Sequence, residues 1–116
     1  MNHKEDLVKL ILPEEIFEYF EIIKIDTSTK QVDVYLDEKP DKPKGFETVK
    51  LVSKGFHSLI TIQDFPLRDK AVFLHVRRRR WLCESTQKLV EREWNSVAEG
   101  TRITKGFATF LKGLIG

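Results

Sequence analysis

Residues 71–81 read AVFLHVRRRRW. Val72, Leu74 and Val76 recur at every second position, the period at which strand side chains alternate between faces. Phe73, His75 and Arg77 take the opposite face. The spacing predicts the longest strand of the chain over residues 71–81. It puts Arg77 and Arg79 on one side of a ribbon and Arg78 and Arg80 on the other. Four adjacent guanidinium groups cannot all be buried, because each needs hydrogen-bonding partners. Two readings fit the run. It is a phosphate-contacting ribbon, for which the planar fork of arginine is well shaped. Or it is a solvated sheet edge paired with Glu84, Glu91 and Glu93. Trp81 stacks on a base or sugar in the first reading and anchors the strand in the second.

Upstream, residues 31–37 alternate in the same way, with Val32, Val34 and Leu36 against Asp33, Tyr35 and Asp37. Residues 21–26 carry Ile22, Ile23 and Ile25, and Thr27-Ser28-Thr29-Lys30 is a polar turn. A hairpin with one buried and one wet face follows. Residues 39–45 (KPDKPKG) form a loop, since two prolines and a glycine do not sit in a central strand. Residues 48–82 read as further sheet: residues 48–53 alternate, residues 59–63 are LITIQ, and residues 64–69 turn at Pro66. Glu84-Ser85-Thr86-Gln87 is a second turn. Residues 89–94 fit a strand or a helix, and the strand is the reading adopted.

Helices are expected at both ends. Leu7, Val8, Leu10 and Ile11 recur at helical spacing before Pro13. Pro13, Glu14 and Glu15 then suit the first turn of a short helix ending near Phe20. At the other end Thr101 is a candidate N-cap, with Ile103, Phe107, Phe110, Leu111 and Leu114 on one helical face. Gly106 and Gly113 weaken that helix, so it should need a partner surface. The expectation is an α+β fold in a single domain over 1–116. It comprises an acidic helix-plus-hairpin region (1–47), a basic β region (48–100) and a terminal helix (101–116), with four to six mostly antiparallel strands.

Charge divides the chain. Residues 1–47 hold seven lysines and twelve acids, a net of −5, and residues 48–116 hold thirteen cations and six acids, a net of +7. Such a split fits either a polyanion facing the second half or two halves that neutralise each other. No apolar run reaches the length of a membrane span, and no secretory signal is evident. The expected setting is cytoplasmic, with no membrane partner. Cys83, the single cysteine, reads as a buried thiol. His3, His57 and His75 form no ligand pattern with it, so no metal or other cofactor is expected. Asp64 and Asp69 flank a turn but lack a third ligand, so no catalytic residue is assigned.

Several segments in order carry a resemblance. They are Leu12-Pro13-Glu14-Glu15 with Tyr19-Phe20-Glu21-Ile22; Ser53-Lys54-Gly55-Phe56; Ile62-Gln63-Asp64-Phe65-Pro66-Leu67-Arg68; residues 72–81; and residues 100–112 (GTRITKGFATFLK). Together they resemble the separately encoded N-terminal region proteins of bacterial insertion-sequence transposases. The resemblance covers nearly the whole chain. In the wider superfamily a strand of this kind leads into a zinc ribbon. Here Cys83 matches one ligand position, while Ser85, Thr86 and Gln87 stand where further cysteines would be. The resemblance therefore implies a ribbon-like hairpin without metal, held by Trp81, Leu89 and Trp94.

The function it implies is accessory: recognition of double-stranded DNA at transposon ends, without catalysis. The implied DNA-binding residues are Arg77, Arg78, Arg79, Arg80 and Trp81, joined by Lys54, Arg68, Arg102 and Lys105. The alternative is a protein-interaction module that docks on the catalytic transposase subunit through Ile103, Phe107, Phe110 and Leu114.

Overall fold

Val32, Val34 and Leu36 are buried at 7%, 1% and 0% exposure, and Val72, Leu74 and Val76 at 5%, 1% and 0%. These two alternating rows lie side by side and set the architecture. In the computed structural model, which describes residues 3–115, β2 (Gln31–Glu38) and β5 (Lys70–Arg77) pair in parallel, Val32 opposite Val72 and Leu36 opposite Val76. β1 (Phe20–Thr27) pairs antiparallel with β2 and β4 (Ile60–Leu67) antiparallel with β5, giving the order β1-β2-β5-β4. A second sheet has the order β3-β6-β7, formed by β3 (Leu51–Phe56), β6 (Arg79–Cys83) and β7 (Lys88–Glu91), with both pairings antiparallel. The fold is α+β, with helices at both ends and a mostly antiparallel sheet arrangement. The seven described strands exceed the four to six expected.

The excess comes from one break. The expected strand over residues 71–81 is two strands, parted at Arg78 and belonging to different sheets. A second irregularity lies opposite it: β3 carries a register shift between Ser53 and Phe56, where Gly55 takes φ +81. That left-handed conformation costs glycine nothing and places a bulge in the strand.

The inner face of the four-stranded sheet is covered by helices. α1 (His3–Ile11) contributes Val8, and the chain after it contributes Leu12. α2 (Ile16–Tyr19) is a single turn that buries Ile16. α3 (Trp94–Gly100) buries Trp94, which stacks on Phe20 with ring centroids 5.3 Å apart. Residues 89–94 are thus strand to Glu91 and helix from Trp94. α4 (Lys105–Ile115) buries Phe107, Phe110, Leu111 and Leu114 in the same core cluster. Thr104, not Thr101, caps it: the Thr104 hydroxyl accepts the Phe107 N–H at 3.1 Å. The helix therefore starts after Ile103, which is 46% exposed and lies off the face it was expected to share.

This overturns the docking face expected of Phe107, Phe110 and Leu114. The partner that a glycine-weakened helix needs is the chain's own core. The glycines themselves are contact points. A Cβ on Gly106 would meet Pro13 Cγ at 2.8 Å, and one on Gly113 would meet both Cγ atoms of Ile62 at 2.8 Å. In Gly113→Ala the overpacking cost of about 1–3 kcal/mol should exceed the helical gain of at most about 1 kcal/mol. We expect net destabilisation of about 1 kcal/mol on urea denaturation. Gly100→Ala, whose added methyl meets no atom within 4 Å, should be neutral or stabilising in the same assay.

Candidate nucleic-acid interface

The arginine run sits where the two sheets join, and its members have separate fates. Arg77 ends β5, and the parallel register sets it opposite Asp37. Its Nε donates to Asp37 Oδ1 at 2.7 Å and its Nη2 to Oδ2 at 2.5 Å, a bidentate pair. Asp37 is only 8% exposed. Arg79 opens β6. Its backbone N–H donates to Glu38 Oε1 at 3.0 Å, its Nε to the Glu38 carbonyl at 3.2 Å and its Nη1 to Ser53 Oγ at 3.1 Å. The guanidinium groups of Arg77 and Arg79 both lie over the Phe56 ring, 4.2 and 4.6 Å from its centroid.

Arg78, at the break, has a buried Nε with no hydrogen-bond partner among the described residues, and its carbonyl accepts the His57 N–H at 2.8 Å. Arg80 donates from Nε to the Lys54 carbonyl at 3.2 Å. Trp81 is 3% exposed, so the expected stacking on a base or sugar is corrected: the indole is buried in the smaller sheet.

Glu38 was missing from the expected site and is its centre. It is 0% exposed. Arg92 Nε donates to Glu38 Oε2 at 3.0 Å, and Arg92 Nη2 to the Asp41 carbonyl at 2.7 Å. The Arg92 guanidinium lies 5.1 Å from the Tyr19 ring centroid and 5.9 Å from that of Trp94. Burial pushes the Glu38 carboxyl above its ordinary value, against the donors from Arg79 and Arg92. The signal was present in the sequence: Glu38 continues the even-numbered row of Val32, Val34 and Leu36, which is the core side of the strand.

The smaller sheet has a drier and a wetter face. Cross-strand partners share a face. Trp81, Cys83 and Val90 fall on one, where Trp81 and Cys83 are 3% and 4% exposed. Arg80, Leu82, Leu89 and Glu91 fall on the other, with Glu91 opposite Arg80 and Val52 aligned to Leu82. Leu89 is 61% exposed and does not hold the hairpin, contrary to expectation, and Trp94 belongs to the main core. Lys54 is exposed beside Arg80. Among the described residues neither Lys54 nor Arg80 makes an ion pair. The other expected DNA contacts lie on different elements. Arg68 is in the β4–β5 turn with φ +57, Arg102 is in the link before α4, and Lys105 is the first residue of that helix.

Two further groups have chemical character. Cys83 Sγ lies 3.3 Å from Ser85 Oγ, and hydrogen bonds from Ser85 and Thr86 lower its thiol to about 7. Among the described residues no group of three or more His, Cys, Asp or Glu is placed to hold a metal ion. On the outer face of the large sheet, Thr61 Oγ1 lies 3.0 Å from His75 Nδ1, and His75 Nε2 lies 2.7 Å from Asp33 Oδ1. The carboxylate can only accept, so Nε2 donates, and in the neutral ring Nδ1 accepts the Thr61 hydroxyl proton. Tyr35 stacks on His75 with centroids 4.5 Å apart.

No protein-family model, curated protein or solved structure matches this chain.

Removing the Glu38 carboxylate leaves Arg92, 9% exposed, without its counter-charge. We expect Glu38→Ala to cost about 3–5 kcal/mol in urea denaturation, and Glu38→Met/Arg92→Met to recover part of that loss. The bond from His75, followed by that from Gln31, holds the Asp33 carboxyl below its ordinary value. Its stabilisation is complete above the unfolded carboxylate value and is lost as pH falls through the lower folded one. The urea midpoints of wild type and Asp33→Asn should therefore converge as pH drops from about 5 towards about 2.

Proposed function

We propose that this chain is a non-catalytic DNA-binding accessory module of the kind found at the N-terminus of insertion-sequence transposases. Its contact surface is the wetter face of the β3-β6-β7 sheet around Lys54 and Arg80. The observation that carries the reading is the difference within the arginine run. The Arg77 guanidinium is committed to the Asp37 carboxylate and that of Arg79 to the Glu38 carbonyl and Ser53 Oγ, whereas Arg80 and exposed Lys54 sit together without a carboxylate partner among the described residues. On that face the register sets one acid, Glu91, opposite Arg80, and Glu91 is engaged by His57. Such a surface neutralises phosphates and gives affinity with little base readout. The resemblance to transposase N-terminal regions supplies the target, duplex DNA at transposon ends.

The test is fluorescence anisotropy with duplexes carrying the terminal repeats of the encoding element, and scrambled controls, over a salt series. Arg80→Ala and Lys54→Ala should each reduce the slope of log K against log salt by about 0.9, the loss of one phosphate contact on B-DNA. Arg77→Ala should lower the melting temperature through Asp37 while leaving that slope unchanged in the folded protein. Folded protein that binds neither duplex at low salt would sink the proposal.

A further inference from the structure

At the far end of the large sheet, a cavity of about 690 Å³ lies between α1 and strands β1, β2, β4 and β5. That is within the range of roughly 300–1,000 Å³ in which small-molecule sites fall. Its wall is aliphatic: Val8 and Ile11 of α1 face Ile25, Val34, Leu67 and Val72, and among the described residues no aromatic ring lines it. Leu7 and Leu10 line the same space while 59% and 82% exposed, so its outer wall is apolar surface left in water. Covering such surface is favourable by about 25 cal/mol per Å².

The polar rim is one-sided. Arg68 and Lys70 lie at the β4–β5 turn and Lys4 on α1, with Asp69 as the one acid among the described lining residues. Lys70 Nζ donates to the Ser28 carbonyl at 2.9 Å, which fixes its ammonium at the rim and leaves two further protons to donate. The turn holds Arg68 at φ +57. That conformation is uncommon for a side chain larger than asparagine.

We propose that this cavity is a binding site for a small amphipathic anion, an unbranched aliphatic chain ending in a carboxylate. The chain fills the space between α1 and the sheet, and the carboxylate lies at Arg68 and Lys70. An aliphatic tail suits a wall without rings. An anionic head suits a rim where cations outnumber the acid. The residues involved are separate from Lys54 and Arg80, so the site stands or falls independently of DNA binding.

Isothermal titration of the full chain with dodecanoate, dodecanol and dodecyltrimethylammonium, each below its micelle-forming concentration, tests this. Dodecanoate should bind saturably with one-to-one stoichiometry, at least tenfold more tightly than the cationic amphiphile. Arg68→Glu/Lys70→Glu, confined to the exposed turn and its flank, should weaken dodecanoate at least tenfold and change dodecanol less than twofold. Leu67→Trp, at the wall, should weaken both. Equal affinity for the three headgroups would overturn the proposal, as would absence of saturable binding. A concentration-dependent dimer that is abolished by Leu10→Asp and does not take up dodecanoate would assign the space to a second copy of the chain and overturn it equally.

Discussion

A carboxylate with no access to water must find its partners inside the protein, and Glu38 is such a group. Its position at the end of β2 is set by the same alternation that buries Val32, Val34 and Leu36. Its partners come from elements remote in sequence: the backbone N–H of Arg79 at the start of β6, and the Arg92 side chain between β7 and α3. Satisfying one side chain thus fixes where the second sheet starts and where the chain leaves it. Arg92 extends the link to Tyr19 and Trp94, hence to the main core. The arrangement is not a large net source of stability. Burial raises the Glu38 carboxyl, so keeping it ionised at neutral pH works against folding, and that cost grows as pH rises through the folded value. What the arrangement contributes is placement: a sheet displaced from this position strands two buried charges.

The break at Arg78 follows from the same corner. Asp37 and Glu38 are successive residues whose side chains leave β2 on opposite sides. Asp37 takes Arg77 and Glu38 takes Arg79. Arg77 serves Asp37 with its guanidinium, whereas Arg79 serves the Glu38 carboxylate with its backbone N–H and the Glu38 carbonyl with its Nε. The chain turns at Arg78, and Phe56 fills the corner beneath both guanidinium groups. His57, which follows Phe56, closes the joint by donating its N–H to the Arg78 carbonyl.

Period-two patterns were legible wherever a strand has one buried and one wet face. The β1–β2 hairpin, the Val72, Leu74 and Val76 row and the turn at residues 84–87 all follow from local chemistry. What local chemistry does not contain is the identity of a partner across many residues. Arg77 and Arg79 read as free cations because Asp37 and Glu38 lie about forty residues away. The apolar face of α4 read as a docking surface because the sheet it covers is built from earlier strands. Thr101 and Thr104 are both plausible caps from residue type, and which one serves depends on where the helix meets the sheet. Glu38 is the instructive omission. Extending the alternation of β2 by one residue puts an acid on the core face, a local conflict that signals a distant cation.

The charge division between the halves has a partly internal meaning. Two ion pairs among the described residues join an arginine of the second half to an acid of the first, Arg77 with Asp37 and Arg92 with Glu38, and His75 adds a hydrogen bond to Asp33. Part of the excess positive charge of the second half therefore neutralises the first half instead of facing a polyanion. On the proposed function this limits the module. With Arg77 and Arg79 withdrawn, the phosphate-contacting set shrinks towards Lys54, Arg80 and their neighbours. Counterion release scales with the number of phosphates neutralised, so a surface of this size supports a shallow salt dependence and modest affinity. Tight attachment to a transposon end then requires further contacts from outside this sheet, supplied by a second copy or by the catalytic chain. Within the fold, Arg77 and Arg79 hold the small sheet in position.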